Sequence, residues 1–379
     1  MRRFILCLML LAPHAAYSAQ NVIVVTLDGV RWQEVYRGLD TRLISSDNVT
    51  NKAQLLADFD APDNQQKARK LMPFVWQTMA TEGVLLGNQD VGSTMQVSNN
   101  WYISYPGYNE LITGRADNRI DSNTPRANPN ISFFEWLQQR PGFAQPFGVF
   151  ASWDVFPAIF NRARSGLHIN AGFTPGSLDT PAEALLNTLQ QQIPSPWEHV
   201  RLDAFTYHYA LQYLRTNQPR LLYIGLGESD DFAHDGNYEQ YIRSIHRSDA
   251  LLKALWQSIQ SLPGYHNQTA LLVTTDHGRG ATLEDWQHHS SRQAIAKQAP
   301  ELLPSAPQGI TGSQYIWLAA IGKDIASGGV VKGPGKPATL AQVAATVLQL
   351  LGQQPSEYHS DIAPPMQSVL ATTLQEPTQ

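Results

Sequence analysis

Short apolar runs punctuate the chain at residues 21–27 (NVIVVTL), 147–151, 221–226, 270–273 and 315–321. Each is too short for a helix and is bounded by polar or glycine-rich turns, so each reads as a strand, those at 21–27 and 270–273 buried on both faces. Helical patterns fall between them, at about residues 72–82, 132–140, 201–217, 238–262 and 339–351. In the 238–262 segment Tyr241, Ile245, Leu252, Leu255 and Ile259 recur along one face with a 3.6-residue period. Ser132 is a natural N-cap, and the stretch 109–113 starts a helix that Gly114 stops. Strands alternating with helices predict a mostly parallel sheet covered on both faces, a three-layer α/β/α sandwich.

Two segments break the alternation. Residues 40–70 are polar and aperiodic, and residues 160–200 carry no strong period; both read as inserted loops or a cap. The expected organisation is one domain over residues 20–365, with a loose tail at 366–379. The first residues are set apart as a leader. Arg2 and Arg3 precede an apolar run, and Ala15, Ala16 and Ser18 follow, the layout of a secretory signal peptide over residues 1–19 with cleavage after Ser18 or Ala19. An exported protein, periplasmic or secreted, is expected. No later run approaches the roughly 20 apolar residues of a membrane-spanning helix.

Composition narrows the chemistry. Cys7, inside the leader, is the only cysteine, so disulfides, thiolate-bound zinc and cysteine nucleophiles are excluded from the exported chain. Histidines and carboxylates remain as the metal-binding repertoire. The net charge is −5 with no basic run, which indicates no nucleic-acid-binding surface. Nothing in the sequence speaks to oligomeric state.

Three strands are each followed by an acid: Asp28, Asp230 and Asp276. Ligands of open parallel sheets bind beyond the carboxyl ends of the strands, so the three converge if the strands are neighbours. Converging carboxylates repel, and a bound cation is the usual remedy. Asp276 is followed at once by His277, and His234 stands four residues after Asp230, on the same face of a helical turn. His288 and His289 offer one more ligand between them. Divided three and three, these donors suit two tetrahedral zinc ions, each with one position open, able to polarise a phosphoryl group and activate a nucleophile together. Ser104, beside the Pro106-Gly107 turn at a helix start where backbone N–H groups favour anions, is the best candidate nucleophile. Trp101, Tyr102, Tyr105 and Tyr108 crowd it, as packing or as a stacking surface.

The motifs VVTLDG, SYPGY, DDFAH and TTDHG, in that order over nearly the whole chain, resemble the alkaline phosphatase superfamily, most closely its type I phosphodiesterase and nucleotide pyrophosphatase branch. The resemblance implies an alkaline-phosphatase-like fold. It also implies one zinc on Asp28, Asp276, His277 and the Ser104 oxygen, and another on Asp230, His234 and His289, the histidine that precedes a small residue. It implies a phosphoryl-binding asparagine past the nucleophile, for which Asn123 is nearest and Asn128 the fallback. The branch's nucleophile is typically threonine; Ser104 departs from that and loosens the substrate assignment.

The expected activity is hydrolysis of a small-molecule phosphoric ester, monoester or diester, through a phosphoryl-serine or nucleotidyl-serine intermediate. A sulfatase is the nearest rival, but the superfamily's sulfatases need an arginine at the fourth position after the nucleophile, where Tyr108 stands. A phosphoglyceromutase-like role sits poorly with a signal peptide. A non-catalytic exported binding protein would be marked by lost ligands, and none is missing.

Overall fold

The computed structural model describes residues 18–45, 47–333 and 335–372. Residues 1–17, which hold Cys7 and most of the expected leader, and residues 373–379 of the expected tail lie outside them. Among the described residues eleven strands form: β1 (Asn21–Leu27), β2 (Val84–Leu86), β3 (Met95–Gln96), β4 (Gly148–Ala151), β5 (His168–Ala171), β6 (Leu221–Leu226), β7 (Thr269–Thr274), β8 (Tyr315–Ile316), β9 (Leu318–Gly322), β10 (Gly329–Val330) and β11 (Ala338–Thr339). Eight of them build one sheet in the order β10-β2-β9-β7-β1-β6-β4-β5, and β11-β3-β8 make a small second sheet. Within the large sheet only β9 runs against its neighbours β2 and β7.

The period-two geometry of a strand sends alternate residues of β1 into different layers. Ile23, Val25 and Leu27 join one apolar cluster with Leu222, Ile224, Leu226, Leu271 and Val273. Val22 and Val24 join the other with Leu221, Tyr223, Ala270 and Leu272. Helices Asp203–Asn217 and Tyr238–Ser261 cover the first face, while Ser104–Thr113, Phe133–Gln138 and Gln342–Leu350 cover the second. The result is the α/β fold with a mostly parallel eight-stranded sheet that the hydrophobic pattern predicts.

Register decides where the chemistry sits. Strand β1 pairs in parallel with β7, Thr26 opposite Thr274, and with β6, Leu27 opposite Leu226. The three central strands therefore end level. Asp28 and Asp276 each lie two residues beyond the Thr26–Thr274 row, and Asp230 lies in the Glu228–His234 helix that follows β6 directly.

Several expectations change in detail. Residues 40–70 hold two short helices, Lys52–Phe59 and Asn64–Leu71, capped by the side chains of Asn51 and Asp63. Only a few of their residues face inward, Leu55, Phe59, Ala68 and Leu71 among them, which is why the segment reads as polar. The 160–200 segment is not all insertion: β5 is the edge strand of the main sheet, too short to stand out in sequence. The 72–82 helix forms with a π-helical turn at Val75–Met79. The 315–321 run splits into β8 and β9 around Trp317, whose buried indole donates to the Val30 carbonyl at 3.0 Å. The tail stays packed as far as Leu370, because Met366, Val369 and Leu370 are buried in the second apolar cluster.

The Ser104–Thr113 helix is buried along its whole length and ends on left-handed Gly114, φ 74°. Gly107 is what lets it approach β7: a Cβ there would stand 2.3 Å from the Asp276 carbonyl oxygen. Backbone cannot yield as a flexible side chain can, so Gly107→Ala must push helix and loop apart. That variant is expected to lose at least about 1–3 kcal/mol of stability, read from denaturant melts, with a matching loss of metal affinity. Wild-type stability and metal binding in Gly107→Ala would show that the contact does not set the helix position.

Candidate metal centre

Asp28, Asp276 and His277 are buried at the level ends of β1 and β7. In all three acids of the cluster one carboxylate oxygen is held by a neighbouring donor. Tyr108 donates its hydroxyl to Asp28 Oδ2 at 2.7 Å, the Gly29 N–H reaches Asp276 Oδ1 at 3.2 Å, and Arg279 pairs with Asp230 Oδ1. The other oxygens face inward. Asp28 Oδ1 and Asp276 Oδ2 are buried with no hydrogen-bond partner, 3.5 and 3.4 Å from His277 Nε2. Ser104 Oγ lies 3.2 Å from the same nitrogen. Around a zinc ion with bonds near 2.0–2.1 Å, the edges of a ligand tetrahedron are about 3.3 Å. These three separations fit that figure.

A second group adjoins the first. His234 Nε2 lies 3.1 Å from His289 Nε2 and 3.2 Å from Asp230 Oδ2, and His289 Nε2 is 4.0 Å from Asp230 Oδ1. Asp230 Oδ1 is also 3.8 Å from His277 Nε2, so the groups share a border. The His277 and His289 rings stack at 3.7 Å. Taken as sets of donors within 4.8 Å, Asp28, Asp276 and His277 form one group, and Asp230, His277 and His289 another.

The histidine tautomers suit cation binding. A carbonyl can only accept, so His277 Nδ1, 2.9 Å from the Gly278 oxygen, and His289 Nδ1, 2.9 Å from the Tyr102 oxygen, each carry the proton. Both Nε2 lone pairs then face the carboxylates. Burial, aided by the neighbouring His277, holds the His289 pKa well below the usual histidine range, which keeps the ring neutral.

The carboxylates differ from one another. Burial pushes the Asp28 pKa well above the usual range, and the charges of Asp276 and Asp230 push it further. Burial also raises Asp276. Burial acts the same way on Asp230, but Arg279 and His234 more than offset it and hold Asp230 well below the usual range. The unmet need for positive charge is therefore greatest between Asp28 and Asp276. An orphaned, desolvated pair of carboxylate oxygens beside His277 Nε2 is a donor set that fits a divalent cation.

The residues singled out from sequence divide as follows. Asp28, Ser104, Asp230, His234, Asp276, His277 and His289 come together in this cluster. His288 is exposed and meets the loop through its backbone, its N–H donating to the Asp285 carbonyl and its carbonyl accepting from Gly280. Asn123 stands next to the nucleophile, with its Oδ1 accepting from the Tyr105 N–H at 3.0 Å. Asn128 is fully buried and bonded to Asn109 and to the Ile159 carbonyl, a framework role. The anion-binding helix start is poorer than expected, because the Tyr105 N–H is taken by Asn123 and Pro106 has none. Trp101, Tyr105 and Tyr108 are buried, and Tyr102 is half-exposed.

Sequence reasoning missed four contributors. Tyr108 reads as an aromatic neighbour but holds Asp28 by its hydroxyl. Arg279 is wholly buried, which its place directly after the Asp276-His277-Gly278 turn could have signalled. Arg31 and Glu34 form a buried ion pair whose arginine also reaches the Gly280 carbonyl at 2.9 Å, tying the loop after β1 to the loop after β7.

Residues 204–355 match the family model of the metalloenzyme superfamily, a span that includes Asp230, His234, Asp276, His277 and His289. No curated protein matches the chain by sequence. In fold it is similar to the alkaline phosphatase PafA, with a TM-score of 0.62 at 10% identity, covering 93% of this chain and 99% of that one. It is also similar to a phosphonate monoester hydrolase from Silicibacter pomeroyi, with a TM-score of 0.53 at 14% identity over 88% of this chain and 74% of that one. The phosphonate monoester hydrolase of Agrobacterium radiobacter gives 0.50 at 12% identity, over 88% and 74%. At such identities the likeness is one of fold.

Asp28→Asn tests the charge argument by a change of sign. In chelated, metal-free protein the neutral amide removes an uncompensated buried charge, keeps an acceptor for Tyr108 and adds a donor toward Asp276, so the melting temperature should equal or exceed that of wild type. With zinc added, wild type should be stabilised by linkage and the Asp28→Asn variant much less. A variant that melts lower than wild type without metal, and is stabilised equally by it, would contradict the assignment.

Proposed function

We propose that this protein is an exported hydrolase of small-molecule phosphoric esters that works with two divalent cations, zinc by preference, and forms a covalent phosphoryl-serine. The observation that carries the reading is the Ser104 hydroxyl, buried at the first position of its helix and 3.2 Å from His277 Nε2, beside the unpartnered Asp28 and Asp276 oxygens. A serine held among cation ligands is placed to be a nucleophile rather than a packing residue. The fold neighbours, an alkaline phosphatase and two phosphonate monoester hydrolases, add weight to phosphorus esters as the substrate class. The order of the sequence motifs favours the phosphodiesterase and nucleotide pyrophosphatase branch, and serine in place of threonine leaves monoesters equally open.

Asp28, Asp276, His277 and Ser104 would hold one cation, and Asp230, His234 and His289 the other. Bound there, the cations supply Lewis-acid polarisation of the phosphoryl oxygens and lower the pKa of a coordinated hydroxyl or water. The chain's own residues do the rest. Ser104 Oγ forms the bond to phosphorus as the ester oxygen leaves, and water then cleaves the phosphoryl-serine. Asn123, its Oδ1 fixed by the Tyr105 N–H, would offer its amide N–H groups to a phosphoryl oxygen. Tyr108 and the Gly29 N–H keep the Asp28 and Asp276 carboxylates in one orientation.

Ser104→Ala removes the attacking oxygen and leaves three protein donors in each group. Turnover of p-nitrophenyl phosphate or its bis ester should fall by about 10³-fold or more, with zinc content and melting temperature close to wild type. Acid quench during turnover of a labelled ester should leave label on the peptide containing Ser104. Near wild-type turnover in Ser104→Ala, or faster turnover of the sulfate ester than of either phosphate, would overturn the proposal.

A further inference from the structure

Glu110 is a fully buried carboxylate on the helix that begins with the metal cluster's serine. Its neighbours are donors of hydrogen bonds rather than cationic side chains. Ser98 N–H and Oγ–H, Asn99 N–H and Nδ2–H, and the Ala341 N–H all reach it at 2.8–3.0 Å. Five donors on one carboxylate fasten the segment before the helix back onto the helix itself. Asn99 then passes the constraint on. Its Oδ1 accepts from the N–H groups of Trp101 and Tyr102 at 2.9 and 3.0 Å, closing a turn in which Tyr102 is left-handed, φ 55°. A non-glycine residue in that region is strained and persists where its surroundings over-determine it.

The strained turn has a use visible in its carbonyls. Those of residues 100, 101 and 102 all accept from the segment that carries His289. Ser291 Oγ–H reaches the Asn100 oxygen at 2.6 Å, Ser291 N–H the Trp101 oxygen at 3.0 Å, and His289 Nδ1–H the Tyr102 oxygen at 2.9 Å. An extended Tyr102 would aim its carbonyl elsewhere. We infer that Glu110 and Asn99 are positioning residues for His289: through the left-handed Tyr102 they hold its imidazole in the Nδ1–H tautomer, with Nε2 turned to Asp230 and His234. The inference rests on His289 being a cation ligand, as proposed above.

The test reads His289 directly. In metal-free wild-type protein, nitrogen NMR of the histidine side chains should show His289 as the Nδ1–H tautomer. In Asn99→Ala it should become a mixture of tautomers, and zinc titration should show one of the two equivalents bound about 10–100-fold more weakly, the other unchanged. Glu110→Gln, nearly isosteric, sets an amide against N–H donors and should act in the same direction. Combining Glu110→Gln with Asn99→Asp turns the bond between the two side chains round while keeping an acceptor for Trp101 and Tyr102. It should restore the tautomer and the affinity. Wild-type tautomer and affinities in both single variants would overturn the inference, as would an equal loss at both zinc sites with no rescue. Because the tautomer is read without metal, its loss in Asn99→Ala supports the inference even where no phosphoester is turned over.

Discussion

Three carboxylates gathered at the ends of three adjacent strands is the constraint on which the rest of this structure depends. Strands β7, β1 and β6 stop level, so the acids that follow them have no room to part. Two of them are wholly desolvated, and each keeps an oxygen that no protein donor meets. Such an arrangement is costly unless positive charge enters it. The chain sets a buried cation of its own, Arg279, on Asp230. That leaves the Asp28 and Asp276 end as the place where an external cation gains most.

Much of the surrounding architecture restricts motion at that point. Gly107 brings the serine helix onto the Asp276 backbone, and Arg31 with Glu34 ties the β1 loop to the β7 loop. His277 and His289 each spend Nδ1 on a backbone carbonyl, so their rings cannot turn without losing a buried hydrogen bond. On the far side of the Glu228–His234 helix, Asp203 accepts from the Gly227 and Glu228 N–H groups and from Ser152 Oγ, which steadies the element bearing Asp230 and His234. Apart from the His277–Gly278 bond and the Arg31–Glu34 pair, these are contacts between residues distant in sequence. The centre is thus a product of the whole sheet and not of any one motif.

What the sequence disclosed followed from periodicity and from position at strand ends. The 21–27 and 221–226 runs match β1 and β6 residue for residue, because a strand buried on both faces has no polar interruption to blur it. Aspartate at or shortly after the end of such a run is a local signal, and the three acids it singles out do converge in the structure. The edge strand β5 and the short helices of residues 40–70 were not legible, since edge and surface elements bury too few side chains to leave a period. The supporting partners were hidden for another reason. That Tyr108 would meet Asp28, or Tyr102 turn left-handed beneath His289, depends on contacts across 80 and 187 positions of chain. No window along the sequence contains them. The motif resemblance supplied the pairing of ligands that spacing alone left open.

The central claim is that this cluster is a two-cation centre, and anomalous diffraction at the zinc edge from crystals grown with zinc tests it most directly. The account predicts two peaks. One lies among Asp28, Asp276, His277 and Ser104 Oγ, and the other among Asp230, His234 and His289. Full zinc occupancy elsewhere on the surface with no peak in this cluster would contradict it, and so would a single peak coordinated without Asp28 and Asp276.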